Sequence, residues 1–573
     1  MTNRAESSRQ PLLVLYVIAI LLIAITVGAQ SPREVLLLAN SRSPVSLRIA
    51  QEYANLRGIP EENRVNLSLP DTILEPESQI SPEDFMRFIW EPAQTAIRER
   101  GLQSQILAWV YSVDFPIRVT TDPPMSLMGM TFVRGHVPDS DVISKGSVIS
   151  PFFAGPDKPN GPAAEGQPLS WFHDILKDRM PLPSMMLGFT GSRGNDVDSI
   201  LRCLHSGVES DGTRPTGTVF FVTSDDVRSR CRAWQYPAAA AELQSLGVGA
   251  RITDQFSNAE RSILGFMMGG ASVNPLYGAN AYLPGCMAEH LTSAAGIFHI
   301  SDQTKLTAWI FGGASATAGT VTEPMAIWTK FPAARFYVHQ ARGCSILESF
   351  FLSIRCPLQI LLIGDPLARP FAEHPAPAAS ANAEPLPSNF PVNVPPDAQS
   401  FVLADDGNTS ISGGRLTPTN EWIFFSPANE MDTVVFTHTN YAPQMISVEL
   451  AVNPGRWDFL QKQVLGLVFD VREDGTFKFF GLQGELSAWM FAEGSGEELH
   501  RMVARGALIR PERGYGIMVR RTDAGLEGLV DGLVVCSWPE ADLGPGRWGI
   551  LAGGPGGYFR NIRVLEPAPP STP

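Results

Sequence analysis

The chain is short of cysteine, of positive charge and of the familiar catalytic signatures, and each shortage excludes something. Six cysteines in 573 residues cannot make a disulfide scaffold. No two of them stand as C-x-x-C, so a zinc ribbon or a thioredoxin-type motif is absent. Cys203, Cys231, Cys286, Cys344 and Cys356 fall in the first large region and Cys536 alone near the end. Five cannot all pair within one domain; one or two bridges and buried free thiols both stay open. Lys and Arg number 44 against 58 Asp and Glu, a net charge of −14. That excludes a general binder of nucleic-acid backbone, which needs a basic surface. There is no H-E-x-x-H, no P-loop, no G-x-S-x-G, and no G-x-G-x-x-G between a strand and a helix. One long uncharged apolar run stands out, and it is confined to one place.

That place is the N-terminus. Arg4 and Arg9 precede the uncharged run Leu12 to Ile25, and Val27-Gly28-Ala29 follows with small side chains. A basic end, an apolar middle and an A-x-A-like exit make a secretory leader. Pro11 to Ala29 is also nearly long enough to span a bilayer. Cleavage after Ala29 and an uncleaved anchor are both compatible with the pattern. Either places the rest outside the cytoplasm, secreted, periplasmic or at the cell surface, and confines any membrane contact to residues 11–29.

What the chain has in plenty is turn-forming residues, 51 Gly and 47 Pro, and enough length for two or three domains. Its first half reads as strand and helix in alternation. Glu34 to Asn40 is a continuous apolar run ending in a polar residue, as in a buried parallel strand. Ser43-Pro44 then offers a cap and a first-turn proline. Val45, Ile49, Tyr53 and Leu56 follow at helical spacing, and Gly58 ends the helix. Arg64 to Pro70 and Gln105 to Val119 are further strands, with a helix capped at Ser81 between them. From Pro116 to about Pro183 the pattern lapses into Pro and Gly, which predicts a surface insertion or lid. It resumes with helices at Val197 to Leu204 and Ala238 to Gly247, strands at Gly217 to Asp226 and Ile263 to Asn274, and a helix over Gly285 to Gly296. Such alternation predicts a three-layer α/β fold with a mostly parallel sheet. Residues 374–399 are Pro, Ala and Ser rich, a linker. From 400 to 567 short alternating runs and Asp-Gly turns predict an antiparallel β-sandwich of jelly-roll type. The division is then 1–29 leader, 30–373 α/β, 374–399 linker, 400–567 sandwich and 568–573 tail.

Four segments carry a resemblance: LLLANSRSPVSLRIAQEYANLRGIP, PGCMAEHLTSAAG, GASATAGTVTEP and GDPLARPF. Together they resemble an uncharacterised family of exported bacterial proteins, which implies kinship and no activity. The order of units is more distantly similar to gingipain and caspase-like cysteine peptidases. The counterpart of their His-Gly turn, however, reads Gly269-Gly270-Ala271-Ser272, without histidine. The runs QVLGLVFDVREDGTFKFFGL and GRWGILAGGPGGYFRNIRVLEP resemble the concanavalin or laminin-G-like sandwich labelled 3-keto-disaccharide hydrolase. That resemblance implies carbohydrate binding or, less often, glycoside cleavage.

The candidate chemistry sits where strands break into polar turns, because α/β ligands bind outside the carboxyl ends of strands. Asp365 and Glu323 are the candidate catalytic carboxylates, with structural readings as a turn carboxylate and a helix-entry charge. Asn40, Ser272, Asn274, Ser315 and Thr317 are candidate ligand contacts, the last two through a small-residue turn whose amides could hold an anion. Cys286 and His290, four apart on the expected helix, would share a face. In the sandwich Trp422 and Trp489, with Trp457 and Trp538, could stack on sugars, and Asp405-Asp406-Gly407-Asn408 could hold calcium. No metal and no cofactor is implied. The expected partner is a carbohydrate or cell-surface glycan, not nucleic acid. Two functions follow from this: a surface glycan binder without a retained catalytic dyad, or an exported hydrolase using carboxylates at the sheet edge.

Overall fold

The computed structural model describes residues 30–372 and 399–565, apart from breaks at 74–77, 177–179, 257–259, 276–280, 401–408, 420–421, 438–442, 453–462, 485–487, 497, 507–508, 510–513 and 546. The leader, the linker, Trp457 and the Asp405 to Asn408 turn lie outside these residues. No helix among the described residues is long and apolar enough to cross a membrane.

Among the described residues ten strands build the main sheet of the first part. They are β1 Val35–Asn40, β2 Arg64–Leu67, β3 Ala108–Tyr111, β4 Ser184–Met186, β5 Thr218–Val222, β6 Gly249–Thr253, β7 Ile263–Gly269, β8 Tyr282–Leu291, β9 Ala316–Thr320 and β10 Ile360–Gly364. Their order across the sheet is β2-β1-β3-β4-β10-β9-β8-β7-β5-β6. Both faces are covered. Leu36 and Leu38 of β1 pack into one core while Val35, Leu37 and Ala39 pack into another. This is why β1 reads as an unbroken apolar run. Helix Pro44–Arg57 covers the second face with Ile49 and Tyr53, both unexposed. Ser43 caps it, its side chain accepting from Ser46 N at 3.0 Å; the left-handed Gly58, φ 71°, ends it.

The sheet is parallel in two halves that run in opposite directions. β10 pairs parallel with β4, but β9 pairs antiparallel with β10 in the register Ala316↔Gly364 to Thr320↔Ile360. Gly364 sits at this seam with φ +124°, and a Cβ there would lie 2.2 Å from Ser315 O. Only glycine fits such an approach.

Three sequence expectations need correction. The segment expected to be a helix over Gly285 to Gly296 is mostly strand β8. Its Met, Ala, Glu and Leu favour a helix, but propensity is weak against tertiary context. Here the chain is slotted between β7 and β9, with Pro284 and the left-handed Gly285, φ 81°, at its start. The small-residue stretch of GASATAG is not a turn: Ala316–Thr320 is a fully buried strand. The Pro and Gly-rich insertion is not a mere surface lid. Leu127, Met128, Met130 and Phe132 from it belong to the main core.

Among its described residues the second part has two antiparallel sheets of eight and seven strands, packed through one core. Val448 and Ile517 come from the first sheet, Leu467 and Ile550 from the second. No disulfide joins any two of the six cysteines; five are buried and Cys231 is half-buried. A thiol titration is therefore expected to find at most one reactive group in the folded protein and six after unfolding. A reducing agent should leave the melting midpoint unchanged.

Candidate functional site

The first half-sheet has its switch of direction at β1, where β2 is added on one side and β3 on the other. In open sheets this is where crevices form. Asn40 ends β1 there, buried, its Nδ2 donating to Asp114 O at 2.8 Å and its backbone N donating to Ser46 Oγ at 3.0 Å. Asp114 lies just beyond β3 with φ 61°, a strained setting for a non-glycine residue. Its two carboxylate oxygens accept from Ser43 Oγ and Thr190 Oγ1. The sequence reading missed Asp114; the signal was a lone acid inside the apolar run Gln105 to Val119. Its carboxylate stands beside the capped helix end at Ser43. The positive end of that helix is thus already matched by an acid, which disfavours phosphate there.

Asp365, two residues past the level of Ile363, lies at the same edge as Asn40 but three strands away, about 14 Å. Asp365 is not exposed at all. It accepts from Tyr53 OH at 2.9 Å, from Arg57 Nε at 3.0 and 3.2 Å, from Arg57 Nη2, and from Leu367 N at 3.0 Å. Arg57 also pairs with Asp211. Burial pushes the Asp365 carboxyl up more than Arg57 pulls it down. A Cβ on Gly207 would reach Asp365 Oδ2 at 2.2 Å, so a glycine in the facing helix makes room for the knot. Every Asp365 contact is internal to the fold.

Glu323 does not join it. β9 and β10 are antiparallel, so the residue after β10 and the residue three past β9 lie at opposite ends of the pair, at least about 15 Å apart. Glu323 is exposed and accepts from Met325 N at 2.8 Å. Ser315 is buried, its Oγ accepting from Gly285 N at 2.8 Å and its O from Asp365 N at 3.1 Å. Thr317 is buried within β9. Ser272 and Asn274 are exposed beyond β7.

The expected thiol and imidazole pair is also corrected. In strand β8 four residues span about 13 Å, so Cys286 and His290 share a sheet face without meeting. Burial raises the Cys286 thiol pKa and drops His290 to about 4. His290 Nδ1 accepts from Trp309 Nε1 at 2.9 Å, which leaves Nε2 to donate to Thr304 O at 3.1 Å. A neutral imidazole fixed between two partners is a core histidine.

Trp489 is corrected as well: 3% exposed, it packs edge-on to Tyr515 inside the sandwich core, with no face for a sugar. Trp538 lies in the same core. Trp422 is different. It is half-buried at a cleft of about 600 Å³ between the α/β part and the sandwich. From the α/β side come Arg33, Glu62, Glu99, Arg100 and Gln105; from the sandwich come Trp422, Tyr558 and Arg560. The Arg560 guanidinium lies 4.4 Å over the Trp422 ring, a cation–π contact. Arg560 Nε donates to Glu449 at 2.7 Å and Nη2 pairs with Glu62 at 3.4 Å. Arg33, 1% exposed, pairs with Glu449 at 3.3 Å and Asp531 at 3.6 Å. Burial opposes charge on Glu449, but Arg33 and Arg560 outweigh it and hold its carboxyl below the ordinary range. Two arginines and three acids thus tie the cleft walls together. Arg100 and Glu99 stay exposed at the rim. Among the described residues no three His, Cys, Asp or Glu side chains cluster to hold a metal.

No family model matches the chain, and no curated protein does. Solved structures similar to part of it include a carbohydrate-binding module, CBM66, from Bacillus subtilis. That match has 10% identity over 27% of this chain and 93% of that one, with a TM-score of 0.24. Another is the VIP36 exoplasmic/lumenal domain in its Ca2+/Man3GlcNAc-bound form, 11% identical over 29% of this chain and 86% of that one, TM-score 0.23. A third is galectin LEC-6 of Caenorhabditis elegans, 10% identical over 26% and 99%, TM-score 0.19.

Proposed function

We propose that this chain is an exported glycan-binding protein that takes a neutral saccharide in the cleft between its two parts. One observation carries the reading: a half-buried indole, Trp422, stands at a cleft that also presents the hydrogen-bonding side chains of Glu62, Glu99, Arg100, Gln105 and Tyr558. A volume near 600 Å³ suits a ligand of one to a few rings. Tyr558 and the Trp422 ring, covered on one face by Arg560, offer apolar surface to the C–H faces of a sugar. Arg100, Glu62 and Glu99 offer donors and acceptors to its hydroxyls. The lining has three arginines and two glutamates, a mixed field that gives no preference for a strongly anionic ligand.

The hydrolase alternative gains nothing from the sheet edge. Glycoside cleavage uses two carboxyl groups within about 5 to 10 Å, whereas Asp365 and Glu323 stand at opposite ends of β9 and β10.

The test is titration of the mature full-length protein against a panel of neutral polysaccharides. Trp422→Ala is expected to weaken binding by about tenfold or more with an unchanged circular dichroism spectrum. Failure to bind any member, or Trp422→Ala binding as the parent does, would overturn the assignment.

A further inference from the structure

Gln30 is 3% exposed. Its backbone N–H donates to the carboxylate of Glu348, which is 1% exposed and also accepts from Ser345 N at 3.2 Å. The next residues are clamped on both sides. Ser31 N donates to Glu34 Oε2 at 2.8 Å, and Ser31 Oγ reaches Asp531 of the sandwich at 3.5 Å. Gln30 and Ser31 are therefore wedged between the two parts.

The side chain of Gln30 does not fit this place as a free amide. Its Nε2 and Oε1 are both buried, and neither has a hydrogen-bond partner. Buried polar groups are nearly always paired, and an orphan calls for an explanation. The sequence places Val27-Gly28-Ala29 directly before it, the small-residue exit of a secretory leader. Cleavage there turns the Gln30 nitrogen into a primary amine. As an ammonium it would bring a charge and three N–H groups into a buried site where Glu348 is the acceptor already engaged. It would hold Glu348 ionised, and taking such a pair out of water costs about as much as the pair returns.

We propose that Gln30 is the mature N-terminus and that it is cyclised to pyroglutamate. The α-nitrogen attacks its own side-chain carbonyl carbon, Cδ. The N–Cδ bond forms, the Cδ–Nε2 bond breaks, and Nε2 leaves with a proton from the amine as ammonia. The ring closes on groups of one residue and needs no oxidant or co-reactant. The product keeps one N–H for Glu348, carries no charge, and no longer has the orphaned NH2 group. Cyclisation precedes burial, while the newly cleaved end is still free in the unfolded chain. The inference rests on cleavage after Ala29 and is independent of the glycan reading.

The experiment uses the full chain, leader included, expressed in a secreting bacterial host. The secreted protein is unfolded and its amines are acylated before digestion, so that closure during handling is blocked. The N-terminal peptide is then weighed. It is expected to begin at Gln30, to be lighter than the unmodified peptide by one ammonia, and to carry no acyl label. A labelled peptide of full mass starting at Gln30, or a mature chain starting anywhere else, would overturn the proposal. Gln30→Ala is processed at the same bond but cannot cyclise. It is expected to take the label and to melt below the parent; melting at or above the parent would show that the lactam is not what the site is built for.

Discussion

Replacing Asp365 with alanine is expected to cost about 3 to 5 kcal/mol of stability, the usual penalty for leaving a buried charge without its partner. The carboxylate is wholly buried and holds Tyr53, Arg57 and the Leu367 amide. Without it the Tyr53 hydroxyl loses its acceptor, and Arg57 keeps Asp211 alone. A loss of this size is a large share of the ~5 to 15 kcal/mol that holds most folded chains. Urea unfolding measures it directly. Asp365→Asn, which keeps shape and some hydrogen bonds, should fall between the two. Arg57→Met combined with Asp365→Leu should cost less than the sum of the single changes, because the residues are in contact. Binding per folded molecule should be unchanged in every variant that folds. A stable Asp365→Ala protein with lost ligand binding would reverse the structural assignment of this residue.

The second large effect is a dependence on pH set by Glu348. Burial lifts its carboxyl from the ordinary 4.5 to about 7, with Glu34 adding to the rise, while amides at Ser345, Gln30 and Leu169 oppose it. Between those values the native protein holds the proton and the unfolded chain has released it. Fewer protons on the unfolded state mean that stability falls as pH rises. The contribution is fully present below pH 4.5 and is lost as pH climbs through 7. At about 1.4 kcal/mol per pH unit, Glu348 alone accounts for about 3 kcal/mol across the window. Glu289, also lifted to about 7 by burial against the pull of Arg232, acts in the same direction. Urea midpoints at pH 5 and pH 7.5 should therefore differ, the acid one being higher. Glu348→Gln, which keeps the capping pattern with Ser345, should remove about half of that difference and leave the share of Glu289. A free ammonium at Gln30 would instead hold Glu348 ionised and remove its share of the slope, so the same titration, made in the parent and in Glu348→Gln, bears on the state of the N-terminus.

Much of the fold was legible because its elements announce themselves locally. Ser43-Pro44 and Gly58 bracket a helix that forms where they say. Unbroken apolar runs at Val35–Asn40 and Ile360–Gly364 are strands buried on both faces. The failures share a cause. Tyr282–Leu291 and Ala316–Thr320 are central strands of unusual composition, the first helix-favouring and the second nearly all small residues. Their state is fixed by the neighbours that hydrogen-bond to them, which a linear pattern does not contain. The site followed the same rule. Asp365 was visible as a polar residue ending a strand, but its engagement by Tyr53 and Arg57, some 300 positions earlier, was not. Among four tryptophans of similar local setting, nothing in the sequence separated Trp422 at a cleft from Trp489 in a core.

Local pattern along the chain sets two architectures in succession, the apolar periods of the strands and helices, and the caps that start and stop them. These depend on residues near one another in the chain. Tertiary structure alone decided the reversal of direction between β9 and β10, which sends Glu323 and Asp365 to opposite ends. It also decided the meeting of Arg33 and Glu62 with Glu449, Asp531 and Arg560 across the cleft, and the burial of Gln30 against Glu348. Strand direction and long-range pairing are set by which surfaces pack together once local elements exist, and no local pattern encodes that choice.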